Sequence, residues 1–285
     1  AVQLAVARKL VEETQEFDNL YYEVCNEPYF GGVTVPWQHR IVDEIVRVEA
    51  ALPRQHLISM NIANGSCRVE SPHPRVSIFN FHYCTPPEAV GLNYDLNRVI
   101  GENETGFRGK DDVLYRTEAW DFLIAGGGLY NNLDYSFTVQ HPTGTFLDYR
   151  SPGGGSPALR GQLRTLKAFL EGLPLVQMAP DDQVLRSVNN PLVVQALSQP
   201  GQAYAIYVHV PIAKKPKPEQ LKQLGAQATR AELVLELPPG EYSAEWLDTT
   251  TGQVVGTAAL TVEKRPVPLA SPAFQVDLAL RILRE

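Results

Sequence analysis

The feature that most constrains this chain is a change of rhythm near residue 174. Up to about residue 175, short apolar runs alternate with stretches whose apolar residues recur at helical spacing, the pattern of βα units around a parallel sheet. The segment "AVQLAVARKLVEETQEF" (1–17) reads as an amphipathic helix that feeds a strand, "NLYYEVCNE" (19–27). A helix with Pro36 in its first turn then runs to about Ala51, and a strand follows over 56–64. Further strands are expected over 75–84, 98–107 and 127–137, followed by helices over 86–97, 111–125 and 157–171. After Leu173 only short runs such as "QAYAIYVHV" and "QVVGTAALTV" remain, separated by Pro, Gly and Asn turns. That part predicts an antiparallel β-sandwich of roughly six to eight strands. The expected fold class is therefore α/β, with about five βα units over 1–178 and a β-sandwich domain over 179–285.

Composition narrows the partners. With 285 residues, 44% of them hydrophobic, the chain has enough apolar material for two ordinary cores. Its formal net charge of -7 argues against nucleic acid, which needs a dense Lys/Arg face. The small basic stretch "AKKPKP" (213–218) reads as a solvated, Pro-stiffened loop. Cys25, Cys67 and Cys84 form no CxxC pair and stand far from any His at ligand spacing, so neither a metal site nor a disulfide framework is expected. No apolar run reaches the length of a membrane-spanning helix, and no membrane partner is expected. No cofactor motif is read, and localisation is left open.

The chemistry lies where the strands end. In a parallel βα barrel the functional side chains converge at the C-terminal ends of the strands. Glu27 ends the first strand, while Glu102 and Glu104 close the fourth. Hydrolysis of a glycosidic bond needs two such carboxyls, one to protonate the leaving oxygen and one to attack the anomeric carbon. Taken singly, Glu27 reads as a solvated charge and His82 as a hydrogen-bonded core histidine. What changes the reading is three motifs in order, "NLYYEVCNEP", "FNFHYCTPP" and "GENETGF", with βα units between them.

In that order the three motifs resemble strands four, six and seven of the clan A retaining glycoside hydrolases, which include cellulases, mannanases and β-galactosidases. The resemblance implies an incomplete (β/α)8 TIM barrel followed by the sandwich. It makes Asn26 a ligand of the sugar 2-hydroxyl, Glu27 the acid/base, and His82 and Tyr83 strand-six residues, the Tyr positioning the nucleophile. For the nucleophile, "ETG" favours Glu104, with Glu102 deeper as a structural or tuning carboxylate; a "GE" reading exchanges the two. Glu27 would rest protonated and Glu104 ionised through mutual repulsion and unequal burial. Trp37, just past the "NEP" loop, is a candidate stacking platform. Asn131, with Asn132 and Asp134, is a candidate for hydrogen bonds to sugar hydroxyls. Trp120, Tyr130 and Tyr135 read as core. "GEYSAEWLDTTTGQVV" and "FQVDLALRIL" resemble a C-terminal sandwich of the collagen-binding type, for which a structural cap is the favoured role and glycan binding the second.

A full barrel of this kind takes about 250 residues. By the resemblance, strands one to three are missing ahead of "NEP", together with an Arg near the nucleophile. Five strands cannot close a barrel, and open edges invite pairing with another chain, so a homodimer or larger assembly is expected, the alternative being a separate polypeptide that supplies the first strands. The expected activity is retaining hydrolysis of a β-linked glycan or oligosaccharide, with β-1,4-glucan favoured. The alternative is a non-catalytic glycan-binding barrel remnant.

Overall fold

The computed structural model describes residues 1–189 and 191–285. By packing, the chain divides into two compact units, one of residues 1–104 and 127–131, the other of residues 105–126 and 132–285. The grouping differs from the 178/179 boundary drawn on pattern, because the helices over 112–124 and 157–171 cluster with the C-terminal strands.

In the first unit the elements are α1 (Val2–Thr14), β1 (Tyr22–Glu23), α2 (Val35–Glu49), β2 (Ile58–Asn64), β3 (Ile78–His82), α3 (Glu88–Asn93) and β4 (Val99–Glu104). The second unit contributes α4 (Asp112–Ile124) next in chain order, before the last strand of the first unit, β5 (Leu129–Tyr130). The strands pair in the order β1-β2-β3-β4-β5, all in parallel, a half-barrel sheet. On α2 the buried residues Gln38, Ile41, Val42, Ile45, Val48 and Glu49 follow helical spacing, so one stripe faces inward. Thr34 caps its start by accepting from the Trp37 N–H, and a Pro occupies its first turn. β3 is buried along its whole length, as parallel strands covered on both faces are.

The edge strands are shorter than their sequences suggest. The run 19–27 yields only Tyr22–Glu23, and 127–137 only Leu129–Tyr130. Each has a ladder partner on one side alone, and Pro28 and a left-handed Glu27 (φ 42°) turn the first one away from its neighbour. Glu27 therefore stands on a turn beyond the strand rather than at its last residue.

Helices α1 and α2 are clasped by charge. Arg8 Nη2 and Arg47 Nη2 lie 3.0 and 2.6 Å from Glu44 Oε1, and Arg47 Nε donates to Oε2 at 2.9 Å. The hydrogen bond from Arg47, and then that from Arg8, hold the Glu44 carboxyl down to about 2 from its ordinary 4.5. A carboxyl lowered on folding contributes stability that is complete above its unfolded value and lost as pH falls through the folded one. Glu44→Gln is thus expected to melt below the parent at pH 6, with the gap closing as the pH falls from about 4.5 toward 2. Thermal melts across that range check it; a gap that stays constant would contradict it.

The second unit holds, besides α4, α5 (Pro157–Glu171), β6 (Ala179–Pro180), β7 (Leu185–Val188), β8 (Val193–Gln199), β9 (Ala203–His209), α6 (Pro218–Ala226), β10 (Glu232–Leu235), β11 (Gly240–Leu247), β12 (Val254–Val262), β13 (Val267–Ala270) and β14 (Asp277–Arg284). Its strands form two antiparallel sheets, β13-β10-β7 and β12-β11-β14-β9-β8-β6. That makes nine strands among the described residues, where roughly six to eight are expected for such a pattern; the short β6 and β7 carry little apolar signal. Leu233, Leu235 and Leu269 of the smaller sheet share one apolar cluster with Tyr204, Ile206, Trp246 and Leu280 of the larger.

β9 is buried at every residue. Tyr204, Ile206 and Val208 enter that cluster, while on the opposite face Tyr207 stacks on Trp120 of α4, ring centroids 5.5 Å apart. The stacking explains why α4 is buried nearly all round, and it makes Trp120 core, as read. α6 is not foreseen in the sequence, where "AKKPKP" reads as loop. The helix starts at the last Pro of that stretch, which fits a first helical turn, and "EQLKQL" continues it with good helix formers.

Candidate functional site

The ends of β1, β3 and β4 converge on two carboxylates and one imidazole. His82, the last residue of β3, is fully buried and puts Nδ1 3.1 Å from Glu27 Oε1 and 3.9 Å from Glu104 Oε2. Ligand-capable atoms of Glu27, His82 and Glu104 all lie within 4.8 Å of one another. The two carboxylate side chains are exposed alike, 24% and 25%, so unequal burial is not what distinguishes them. Their partners differ instead. Glu104 Oε1 accepts the Tyr83 hydroxyl at 2.5 Å, while the Glu27 carboxylate meets the histidine and its backbone N–H donates to Asn61 Oδ1 at 3.0 Å.

Local backbone geometry sets up this arrangement. Glu27 (φ 42°) and Tyr83 (φ 58°) both adopt the left-handed region, which non-glycine residues enter at a cost and which recurs at functional sites. At Tyr83 the turn is fixed by its N–H on the Glu104 carbonyl (3.0 Å) and an edge-on contact with the His82 ring (5.8 Å). Burial first, then the Glu104 carboxylate that it bonds, push the Tyr83 phenol well up, so at neutral pH it is a donor.

Glu102 and Glu104 separate in role. In a regular strand they would share a face, but the register slips between Phe81 and His82, pairing Phe81 with Glu102 and His82 with Glu104. Glu102 is fully buried and its Oε1 accepts the Cys84 N–H at 2.5 Å, anchoring the turn that carries Tyr83.

The other sequence candidates stand further from this cluster in kind. Asn26 is exposed beside Glu27. Trp37 is turned to helix α1, where its indole N–H donates to Gln3 Oε1 at 3.1 Å. Asn131 spends its side-chain amide on the Asn103 carbonyl (3.1 Å). Asn132 and Asp134 belong to the other compact unit, and Asp134 is committed to Arg160 (2.7 Å) and Ser136.

Residues not singled out from sequence complete the surroundings. Tyr29 donates to Asn64 Oδ1, and its phenol is pushed well up by burial and by Glu27, Glu104 and Glu23 in turn. Glu23, Ser59, Asn80 and Asn103 form a polar group on β1 to β4. A signal for these was present: Ser59 and Asn61, and Asn80 and His82, are polar residues two apart inside otherwise apolar strands, which puts each pair on one face.

Glu27, His82 and Glu104 are also side chains able to hold a divalent ion. A metal-bound imidazole ordinarily hands its second N–H to an acceptor, and the buried Nε2 of His82 has no partner. The set fits proton transfer and nucleophilic attack by carboxylates better than a metal centre.

No protein-family model matches the chain. No curated protein matches it. Solved structures do. A protein described as a glycoside hydrolase aligns over 99% of this chain and 68% of its own, at 11% identity and a TM-score of 0.62. The fold is one that glycoside hydrolases use. A glycoside hydrolase family 5 protein from Bacteroides vulgatus aligns over 99% of this chain and 66% of its own, at 10% identity and a TM-score of 0.62. A family 30 subfamily 8 xylanase from Clostridium acetobutylicum does so over 100% and 71%, at 10% identity and a TM-score of 0.51. This chain thus spans about two thirds of the length of the first two, and at such identities the likeness is one of fold.

Proposed function

We propose that the protein is a retaining glycoside hydrolase acting on β-linked glycans or oligosaccharides, with Glu104 as nucleophile and Glu27 as acid/base. The observation that carries this reading is the carboxylate pair, one oxygen of each lying within 4.8 Å of one of the other, a closeness that fits the carboxyl separation of about 5–5.5 Å typical of retaining enzymes better than the roughly 6.5–9.5 Å of inverting ones. In the first step a Glu104 oxygen attacks the anomeric carbon, the bond to the leaving oxygen breaks, and the Glu27 proton goes to that oxygen. In the second, Glu27 takes a proton from water, the water oxygen bonds to the anomeric carbon, and Glu104 is released as carboxylate. Tyr83 holds the attacking carboxylate in place, and His82 sets the spacing of the two. Asn26 is the candidate for the sugar 2-hydroxyl, and β-1,4-glucan is the favoured substrate. The fold shared with glycoside hydrolases supports the reading. The test is hydrolysis of aryl β-glycosides, β-glucan and xylan by the parent.

A second reading is a glycan-binding barrel remnant without turnover, for which the five parallel strands that the described residues form are the supporting observation. Saturable binding of oligosaccharide with no product from any substrate would decide for it. We read the two antiparallel sheets as a β-sandwich over 179–285 with a structural role, the sandwich being supported by the apolar cluster the sheets share. Self-association is part of the proposal, supported by Val2, Val6 and Leu10, which stand exposed at i, i+4 and i+8 on α1. Light scattering at micromolar concentration should give a dimer or larger; a well-folded monomer would contradict it.

A further inference from the structure

Barrel interiors of this type are filled mostly by branched apolar side chains. Here β1 to β4 instead present Glu23, Ser59, Asn80 and Asn103, and three donors converge on a single oxygen. Glu23 Oε2 accepts from Ser59 Oγ at 3.1 Å, Asn80 Nδ2 at 2.5 Å and Asn103 Nδ2 at 3.0 Å. Ser59 and Asn80 are fully buried. The space for Asn80 exists because residue 101 is glycine: a Cβ there would lie 2.3 Å from Asn80 Oδ1.

The bonds lead onward to both carboxylates of the site. Asn80 accepts Asn61 Nδ2 on its carbonyl (3.4 Å), and Asn61 Oδ1 holds the Glu27 N–H (3.0 Å). Asn103 immediately precedes Glu104, and its carbonyl takes the Asn131 amide (3.1 Å). One acceptor therefore ties the strand ends that carry Glu27, His82 and Glu104.

We infer that Glu23 is a positioning residue, which fixes the spacing of Glu27 and Glu104 through Asn80, Asn61 and Asn103 without touching substrate. The inference rests on the glycosidase reading for its kinetic consequence, and on geometry alone for its structural one. A displacement of about 1 Å at a reacting centre costs about 100-fold in rate. Glu23→Leu, which removes the acceptor, is expected to lower kcat by about 100-fold with KM within about threefold of the parent. Glu23→Gln, which keeps one oxygen at that position, is expected to recover most of the loss. Crystal structures of the parent and of the Leu variant should show the Asn80 and Asn103 amides turned and the Glu27–Glu104 oxygens moved from their present separation. Should Glu23→Leu fail to fold, Asn103→Ala, which deletes one donor next to Glu104, is expected to show the same split between kcat and KM. A Leu or Asn103→Ala variant that is folded with parental kcat, or in which the carboxylates do not move, would overturn the inference. A parent inactive on every substrate would overturn the glycosidase reading instead, and the crystal structures would still decide the role of Glu23.

Discussion

Glu104→Gln is expected to abolish turnover of an aryl β-glycoside, and Glu27→Gln to lower it by about 10²–10⁴-fold, the range for loss of a general acid or base. The two losses differ in kind. An amide at 104 cannot form the glycosyl–enzyme bond. An amide at 27 leaves that bond possible with a good leaving group but gives water no base, so the intermediate accumulates. Azide needs no base. With Glu27→Gln it attacks the intermediate, expels the Glu104 carboxylate and gives the β-glycosyl azide. With Glu104→Ala, whose missing carboxyl leaves space beside the anomeric carbon, azide displaces the leaving group in one step while Glu27 supplies the proton, and gives the α-glycosyl azide. The assignment of roles is contradicted if both variants yield the same anomer, or if either keeps parental activity. The surroundings agree with the assignment: Glu104 has the Tyr83 hydroxyl, and Glu102, the other carboxylate on β4, is fully buried with its oxygen on the Cys84 N–H.

The largest expected effect on stability lies at Asp277. Its carboxylate receives Arg116 Nη2 at 2.6 Å and Nε at 3.1 Å, the Tyr207 hydroxyl at 3.0 Å and the Thr249 hydroxyl at 2.7 Å. Both ions are less than a tenth exposed, and they join α4 to β14. Asp277→Ala leaves the guanidinium buried without its counter-ion and strips two hydroxyls of their acceptor, and is expected to cost about 3–5 kcal/mol. Joint replacement, Arg116→Met with Asp277→Leu, removes both desolvated charges and is expected to recover much of that loss. Denaturant melts of the single and double variants measure it. A single variant within about 1 kcal/mol of the parent would mean that water reaches the pair.

The alternation of apolar runs and helical spacing made the parallel part legible, and helices 111–125 and 157–171 appear within a residue or two at each end, since capping by Asp111 and Ser156 marks their starts. Glu27, His82, Tyr83 and Glu104, each picked out by a motif, are brought together by the fold, and their roles are those proposed above. Four things were not legible. The slip of register that separates Glu102 from Glu104 depends on pairing between β3 and β4, which no local pattern records. Trp37 looked available near the loop, yet its indole is claimed by α1, a contact set by helix packing. Glu23 read as one more polar residue in a strand, and its meaning comes from Ser59, Asn80 and Asn103, which are far apart in sequence and meet only across the sheet. Helix α6 was hidden by the basic, Pro-containing stretch that runs into it.

The most direct measurement is the anomeric form of the first product when the parent cleaves a β-glycoside, followed by proton NMR before mutarotation sets in. The proposed retaining mechanism, supported by carboxylates with one oxygen of each within 4.8 Å of the other, predicts the β-anomer first. The α-anomer appearing first, or no product from any aryl β-glycoside, β-glucan or xylan, would contradict the account.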